Sequence, residues 1–384
     1  MDPLFDRGID LGVVLIVAAK VLVVFVFLLV SVLLMIWGER KILSDMQSRI
    51  GPNRAGPWGI LQTMADGIKL FFKEDMLPEK ADRRIFRLAP YLSAVPAFVT
   101  FAIVPVGGTI SIAHHRTYLQ LADPPVGILF LLAMSSIAVY GIMLAGWSSG
   151  SKYPLLGSVR ASAQMISYEA AMSLAVATTV LAAGSLSTHD IVASQAGGAW
   201  RWNILALGFV PFAVFVIAAT AEMNRPPFDL VEAEQELVGG FHTEYTAIRF
   251  ALFFLAEFMN TITMSAIAVT LFLGGPASPF PAVLPEIPVV WFMLKLVAFL
   301  FVYIWFRATL PRLRYDQLMD LGWKRLIPVS LFWLLLVAAL RIGRDQGWNG
   351  VVVLGGGLVV FALGWFVLSA ALRVGAAAAL ESRS

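Results

Sequence analysis

The sequence predicts an all-α integral membrane protein of about eight or nine transmembrane helices, with amphipathic interfacial helices in its polar loops. Three observations lead there. Of the 384 residues, 59% are hydrophobic and only 14% are charged, where a soluble domain carries about 25% charged residues. Windows of about 19 residues return apolar runs long enough for a hydrocarbon core of ~30 Å. The runs are continuous rather than alternating, so helices and not a closed barrel satisfy their backbone groups. A mean hydropathy of +0.80 excludes an ordinary cytosolic enzyme.

The runs fall at roughly 11–37, 88–112, 125–147, 164–184, 203–221, 246–273, 288–306, 326–341 and 350–372. The first follows Met1-Asp2-Pro3-Leu4-Phe5-Asp6-Arg7, too acidic for the start of a signal peptide, so it reads as a retained span. The eighth is short and the ninth contains Gly355, Gly356 and Gly357, which leaves the C-terminal count open. No linker or second domain is visible, and residues 1–384 are expected to form one polytopic membrane domain.

Orientation follows from the basic residues. Loops 1–2, 3–4, 5–6 and 7–8, with the tail after the ninth run, hold 20 Lys/Arg; the other side holds five and the spans three. The positive-inside rule puts the basic loops in the cytoplasm and the N-terminus outside. The largest basic loop, about 38–87, contains Ile60, Leu61, Met64, Ile68, Phe71 and Phe72 on one helical stripe, with Gln62, Asp66, Lys69 and Lys73 on the other. It is either a helix lying on the membrane surface or one that turns Asp66 toward a polar cavity.

Ionisable residues inside spans cost about 2.5–3.5 kcal/mol each at a helix centre, so they need a reason. Glu169 reads as near the cytoplasmic end of run four, Glu257 as near the middle of run six, and Glu222 closes run five. Lys20 and Arg249, near span ends, are expected to snorkel or to form structural pairs; Lys295 lies within run seven. A mid-span carboxylate such as Glu257 cannot snorkel easily and is a usual element of a proton path. The loop from Glu222 through Arg225, Pro226, Pro227, Phe228 and Asp229 to Glu232, Glu234 and Glu236 is acidic against the basic trend of its side. It is either a solvated face or, with Glu244, Glu257 and Glu169, a line of carboxylates that share protons. Arg40, Arg49, Arg54, Arg307, Arg312 and Arg314 at span ends need no role beyond fixing topology, yet Gly51, Pro52, Gly56, Pro57 and Gly59 indicate a shaped loop.

Several chemistries are excluded. Cysteine is absent, so there are no disulfides, thiolate metal sites or iron–sulfur clusters on this chain. The four histidines lie in loops, which disfavours a bis-histidine haem. No P-loop, dinucleotide fingerprint or HExxH appears, and a net charge of +3 offers no electrostatic footprint for nucleic acid.

The stretches Gly38-Glu39-Arg40-Lys41, Gln47-Ser48-Arg49-Ile50-Gly51-Pro52-Asn53 and Ala65-Asp66-Gly67-Ile68-Lys69-Leu70-Phe71 form a recognisable set. With them belong Gly157-Ser158-Val159-Arg160-Ala161, Ser167-Tyr168-Glu169, Glu222-Met223-Asn224-Arg225, Glu244-Tyr245, and Trp305 to Arg312 with Arg314 to Met319. Together they resemble the H-type (ND1-like) membrane subunits of proton-pumping NADH–quinone oxidoreductases, over a core of about 37–326 that excludes the span at about 350–372.

The resemblance implies a subunit that builds much of a quinone tunnel and couples quinone reduction to proton translocation, without a redox centre of its own. Glu39, Arg40, Arg49, Arg225 and Phe228 would lie at the tunnel or its mouth. Asp66, Glu169, Glu222, Asp229, Glu232, Glu234, Glu236, Glu244 and Glu257 would form the proton-coupling chain. Arg307, Arg312 and Arg314 would dock the peripheral arm. No group acts as a catalytic or metal ligand. The substrate would be ubiquinone or menaquinone, with FMN and Fe–S clusters on partner subunits. The expected partners are peripheral-arm and small membrane subunits, the lipid bilayer and quinone, and the expected location is a bacterial plasma membrane. A homologous subunit of a group-4 hydrogenase, formate hydrogenlyase or F420H2- or ferredoxin-linked complex is the rival reading. A stand-alone transporter fits less well, because no internal repeat is visible.

Overall fold

The helix boundaries follow from caps, prolines and glycines, and they place the polar residues of the apolar runs on shared internal faces. The computed structural model describes residues 2–381 apart from 6, 7, 9, 113, 231–236 and 282, with backbone alone over 367–381. Glu232, Glu234 and Glu236 therefore lie outside the described residues.

Helix α1 (Leu11–Met46) starts at Asp10, whose carboxylate accepts from Val13 N at 2.7 Å. Its 36 residues span about 54 Å, so the last turns, with Glu39 and Arg40, extend past a ~30 Å hydrocarbon core. Helix α2 (Gln62–Phe72) is amphipathic, with Met64, Ile68, Phe71 and Phe72 exposed along one side. Helix α3 (Arg83–Thr100) is capped by Asp82, which accepts from the N–H groups of Arg84 and Ile85.

Hydropathy extends the second apolar run as a helix to residue 112, and the structure ends it earlier. After a 3-10 turn ending at Ile103, the chain forms an antiparallel hairpin of β1 (Thr109–Ile112) and β2 (His115–Tyr118), with Thr109 opposite Tyr118. Pro105, Gly107 and Gly108 break the helix, while Ile110 and Ile112 keep the hydropathy high.

Helices α4 (Gly127–Ser148) and α5 (Lys152–Ala183) follow, the latter closed by Gly184 at φ +71°. Helix α5 begins well before the apolar run that announces it, since Ser158, Ser162 and Gln164 are polar yet buried. Glu169 consequently sits near the middle of its helix rather than near an end. Short helices α6 (Thr188–Ser194) and α7 (Asn203–Ala206) lead to α8 (Phe209–Glu222). Then come α9 (Ala247–Phe272), α10 (Pro288–Thr309), α11 (Tyr315–Leu321), a π turn at Gly322–Leu326, α12 (Ile327–Asp345) and α13 (Gly350–Glu381). The eighth run is thus part of a long unit over Tyr315–Asp345, not a short span. Among the described residues, seven helices are long and apolar enough to cross a membrane, and α8 and the 350–366 part of α13 are shorter apolar helices.

Helix α9 is the central element, buried almost continuously from Phe258 to Phe272. Lipid tails are as apolar as side chains, so helix association relies on close approach through small residues. At Gly141 of α4, a Cβ would come within 2.7 Å of Ser93 N on α3; at Gly157 of α5, it would come within 2.8 Å of the Gly240 backbone.

The three cations inside apolar runs each have a structural partner. Lys20 pairs with Asp2 at 3.1 Å, and Asp2 also accepts from Thr117 Oγ1 at 2.7 Å and Leu4 N at 3.0 Å. Burial works to raise the Asp2 carboxyl, but the Thr117, Leu4 and Lys20 donors outweigh it and hold Asp2 below the usual carboxylate range. Arg249 pairs with Asp75 at 2.8 Å. Lys295 donates to the carbonyls of Leu273, Gly275 and Ala277 at 2.7, 2.9 and 2.7 Å and lies 4.1 Å from the Trp202 ring, so it caps the C-terminal end of α9.

Candidate functional site

The end of α1, the chain leaving α8, the middle of α9 and the last turn of α10 converge on four charged side chains. Glu39, only 4% exposed, faces two arginines. Arg225 Nη1 is 3.4 Å from both Glu39 oxygens, and Arg307 Nη1 ion-pairs with Oε1. Arg225 Nε lies 2.9 Å from Glu257 Oε1, and the guanidinium rests 4.2 Å above the Phe258 ring. Asn224, in the left-handed region at φ +52°, turns the chain after α8 and directs Arg225 inward. Two arginines and two glutamates form a charge-balanced group in which Glu39 and Arg225 are buried, Glu257 is partly buried and Arg307 reaches in from the exposed side.

This group lines a cavity of about 510 Å³ whose other walls include Ile36, Leu43, Ile50, Pro52 and Phe254, with Arg40 and Arg49 among its lining residues. The size falls within the range of small-molecule pockets, as does the pattern of apolar walls with a few convergent polar groups. Arg40 pairs with Asp66 at 2.6 Å, and Asp66 also accepts from Gln62 Nε2 at 3.1 Å. Arg49 Nε donates to Gln47 Oε1 at 2.7 Å.

Phe254 and Glu257 also line a second, smaller cavity of about 80 Å³ together with Ser135, Glu222, Asn224, His242 and Asn260. It has room for a few water molecules at ~10–15 Å³ each. Glu222, 2% exposed, accepts a short hydrogen bond from Ser135 Oγ. On the next residue of α4, Ser136 Oγ donates to Glu169 Oε1 at 2.5 Å. Glu222 and Glu169 accept from consecutive serines of α4. The carboxylates thus run from Glu39 through Arg225 and Glu257, along the small cavity, to Glu222 and Glu169.

The remaining expected residues lie away from this line. Phe228 does not line the large cavity; it packs against the Tyr168 ring at 5.3 Å, and its carbonyl accepts from Gln164 Nε2 at 3.0 Å. Buried Asp229 pairs with Arg312 at 2.9 Å, while Arg314 is highly exposed and 4.0 Å from Asp316. Glu244 is half-buried and lines neither cavity. Its neighbour Tyr245 stacks on Phe86 at 4.0 Å and donates to Phe86 O at 3.1 Å, and burial pushes the Tyr245 phenol up to about 12. Arg307 belongs to α10 and contributes its charge inside the large cavity.

Sequence reasoning missed Ser135, Ser136 and Asn260. Asn260 stands three residues after Glu257 and so shares its helix face; the Ser135-Ser136 pair interrupts an apolar run. Both signals are present and easily read as packing residues.

The family model described as NADH dehydrogenase matches residues 19–338. The H subunit of NADH-quinone oxidoreductase from Frankia casuarinae is 57% identical over 329 residues, which cover 84% of this chain and 72% of the relative. The H subunit of the same oxidoreductase from Frankia alni is 54% identical over 348 residues, covering 89% of this chain and 76% of the relative. On these matches, the chain belongs to the NADH dehydrogenase family and is an H-type subunit of NADH-quinone oxidoreductase.

Proposed function

We propose that this chain is the membrane subunit that receives the quinone headgroup in the 510 Å³ cavity and converts its reduction into a charge displacement along Glu39, Glu257, Glu222 and Glu169. The observation that carries the proposal is Arg225. It bridges two carboxylates, and its Nη2 is buried with no hydrogen-bond acceptor among the described residues. A buried guanidinium donor without an acceptor is costly, and a quinone carbonyl oxygen is an acceptor of the right kind.

The chemistry follows from electrostatics. An Fe–S cluster on a partner subunit, supplied by way of FMN, would deliver two electrons, and quinone would take up two protons to become quinol. Negative charge developing on the quinone oxygen competes with Glu39 and Glu257 for Arg225 and Arg307. One unit charge about 4 Å away is worth ~4 kcal/mol at an effective dielectric of ~20, enough to change which carboxylate holds a proton. Glu257 faces both cavities, so it is the group that passes the change from the quinone side to Glu222 and Glu169. Asp66, Asp229 and Glu244, with Glu232, Glu234 and Glu236, extend the acidic system toward the neighbouring subunits and the surface. Arg312 and Arg314 face the peripheral arm. The basic loops lie on the cytoplasmic side of a bacterial plasma membrane, and ubiquinone and menaquinone tails fit the apolar walls equally.

A photoreactive quinone tests the reading in the intact complex. Labelling should fall on segments 36–52 and 254–258 and disappear with excess unlabelled quinone. Labelling confined to lipid-facing helix surfaces would exclude the cavity as the binding place.

A further inference from the structure

The small cavity carries a third titratable group beside Glu222 and Glu257, and neither the motifs nor the proposed mechanism uses it. His242 ends the 3-10 turn Gly240–His242, five residues before α9 begins at Ala247, and it is partly exposed. Its ring stands edge-on to Phe241 at 5.0 Å and to Phe250 at 5.4 Å, and its carbonyl accepts from Tyr245 N at 3.0 Å. The contribution of α9 to the cavity wall includes Phe250, Phe254, Glu257, Asn260 and Met264. These recur at spacings of three and four along one helix face, so the cavity follows α9 for about 21 Å at 1.5 Å per residue. His242 stands at the outer end, against Phe250. Glu257 lies about two turns further in, and Met264, 1% exposed, closes the inner end.

His242 shares this space with Glu257 of α9 and Glu222 at the end of α8. Among the described lining residues, α3, α4 and α5 contribute Ser93, Thr100, Ser135 and apolar side chains, none of them charged. Glu244 and Tyr245 follow His242 in the chain, and Arg249 is tied to Asp75 at 2.8 Å. Carboxylates this enclosed exchange protons with the surface through a group that both accepts and donates near neutral pH. Imidazole is the side chain with that property, and its two nitrogens allow uptake on one side and release on the other.

We infer that His242 is the proton-exchange residue of the small cavity. It takes one proton from the side of the basic loops, gives one to the Glu257 carboxylate along the cavity, and returns to neutral imidazole. The inference rests on the reading of Glu257 as the coupling carboxylate.

The intact complex in proteoliposomes tests it through the pH dependence of NADH–quinone turnover and proton pumping, with NADH–ferricyanide turnover and native gels as controls. Wild-type quinone turnover should fall as pH rises through an ionisation between about pH 5 and 8. In His242→Gln that ionisation should vanish and turnover near neutral pH should drop at least ten-fold, the low end of what positioned proton transfer supplies at ~10²–10⁴-fold. Imidazole added to the buffer should restore part of the turnover in His242→Ala and none in wild type. Wild-type turnover that is flat from about pH 5 to 8 overturns the inference without any variant. An assembled His242→Gln complex with the wild-type pH profile overturns it too, whatever the size of its loss, since a packing role leaves that profile in place. Wild-type turnover and pumping in Glu257→Gln would instead overturn the coupling reading on which the inference stands.

Discussion

Replacing Arg225 with Gln removes the cation that bridges Glu39 and Glu257. The Arg225 side chain is 9% exposed and that of Glu39 5%, so water screens the loss poorly. Removing one partner of a buried pair costs about 3–5 kcal/mol. The lower end applies, because Arg307 remains on Glu39 and the Glu257 side chain, 21% exposed, can take up a proton. About 3 kcal/mol is a factor of roughly 150. Native gels of the complex, NADH–quinone turnover and NADH–ferricyanide turnover, which needs only the peripheral arm, separate assembly from function. Quinone turnover should fall by about two orders of magnitude while ferricyanide turnover persists. In a double-mutant cycle with Glu257→Gln, the two losses should overlap by ~1.5–3 kcal/mol, the range of a charge-assisted hydrogen bond. Wild-type quinone turnover in assembled Arg225→Gln, or strictly additive losses in the cycle, would refute the reasoning.

Other consequences follow from the same geometry. Lys295→Met leaves the carbonyls of Leu273, Gly275 and Ala277 without their charged donor, so it should destabilise the α9–α10 connection by about 1–3 kcal/mol and speed thermal inactivation of the purified complex. Arg312→Ala removes the guanidinium 2.9 Å from buried Asp229 and should lower quinone turnover, whereas exposed Arg314→Ala breaks a pair at 4.0 Å worth ~0–1 kcal/mol and should leave turnover of the assembled complex near wild type; equal effects would contradict the difference in burial. For Asp2, the folded-state proton affinity is lowered, so its stabilising contribution is complete above the ordinary carboxyl range of ~3.9 and fades as pH falls through the lower folded value. Hydrogen-exchange protection at Leu4, corrected for intrinsic rates, should therefore hold from pH 6 down to about 4 and drop only below; a loss near pH 6 would contradict the buried cluster.

Much of this is legible in the amino-acid sequence. Hydropathy locates the spans because the bilayer sets their length, and Glu257 stands out because charge is rare in such runs, while Glu39 and Arg225 lie outside the runs and are marked by the motifs of the resemblance. The failures share a cause: hydropathy reports composition, not packing. Helix α5 begins among buried polar residues, so its run looks short and Glu169 looks terminal. The hairpin over 109–118 hides behind Ile110 and Ile112. The packing of Phe228 beside Tyr168 is likewise invisible in its motif.

Glu257, a carboxylate that lines both cavities, is the residue proposed to couple quinone chemistry to proton movement. Proteoliposomes carrying the whole complex with Glu257→Gln test it most directly, through NADH–quinone turnover and proton pumping measured beside NADH–ferricyanide turnover. The account predicts that quinone turnover and pumping fall together by at least ten-fold, about 1.4 kcal/mol or more, while ferricyanide turnover and assembly remain. Quinone turnover and pumping at wild-type levels in the assembled variant would contradict it.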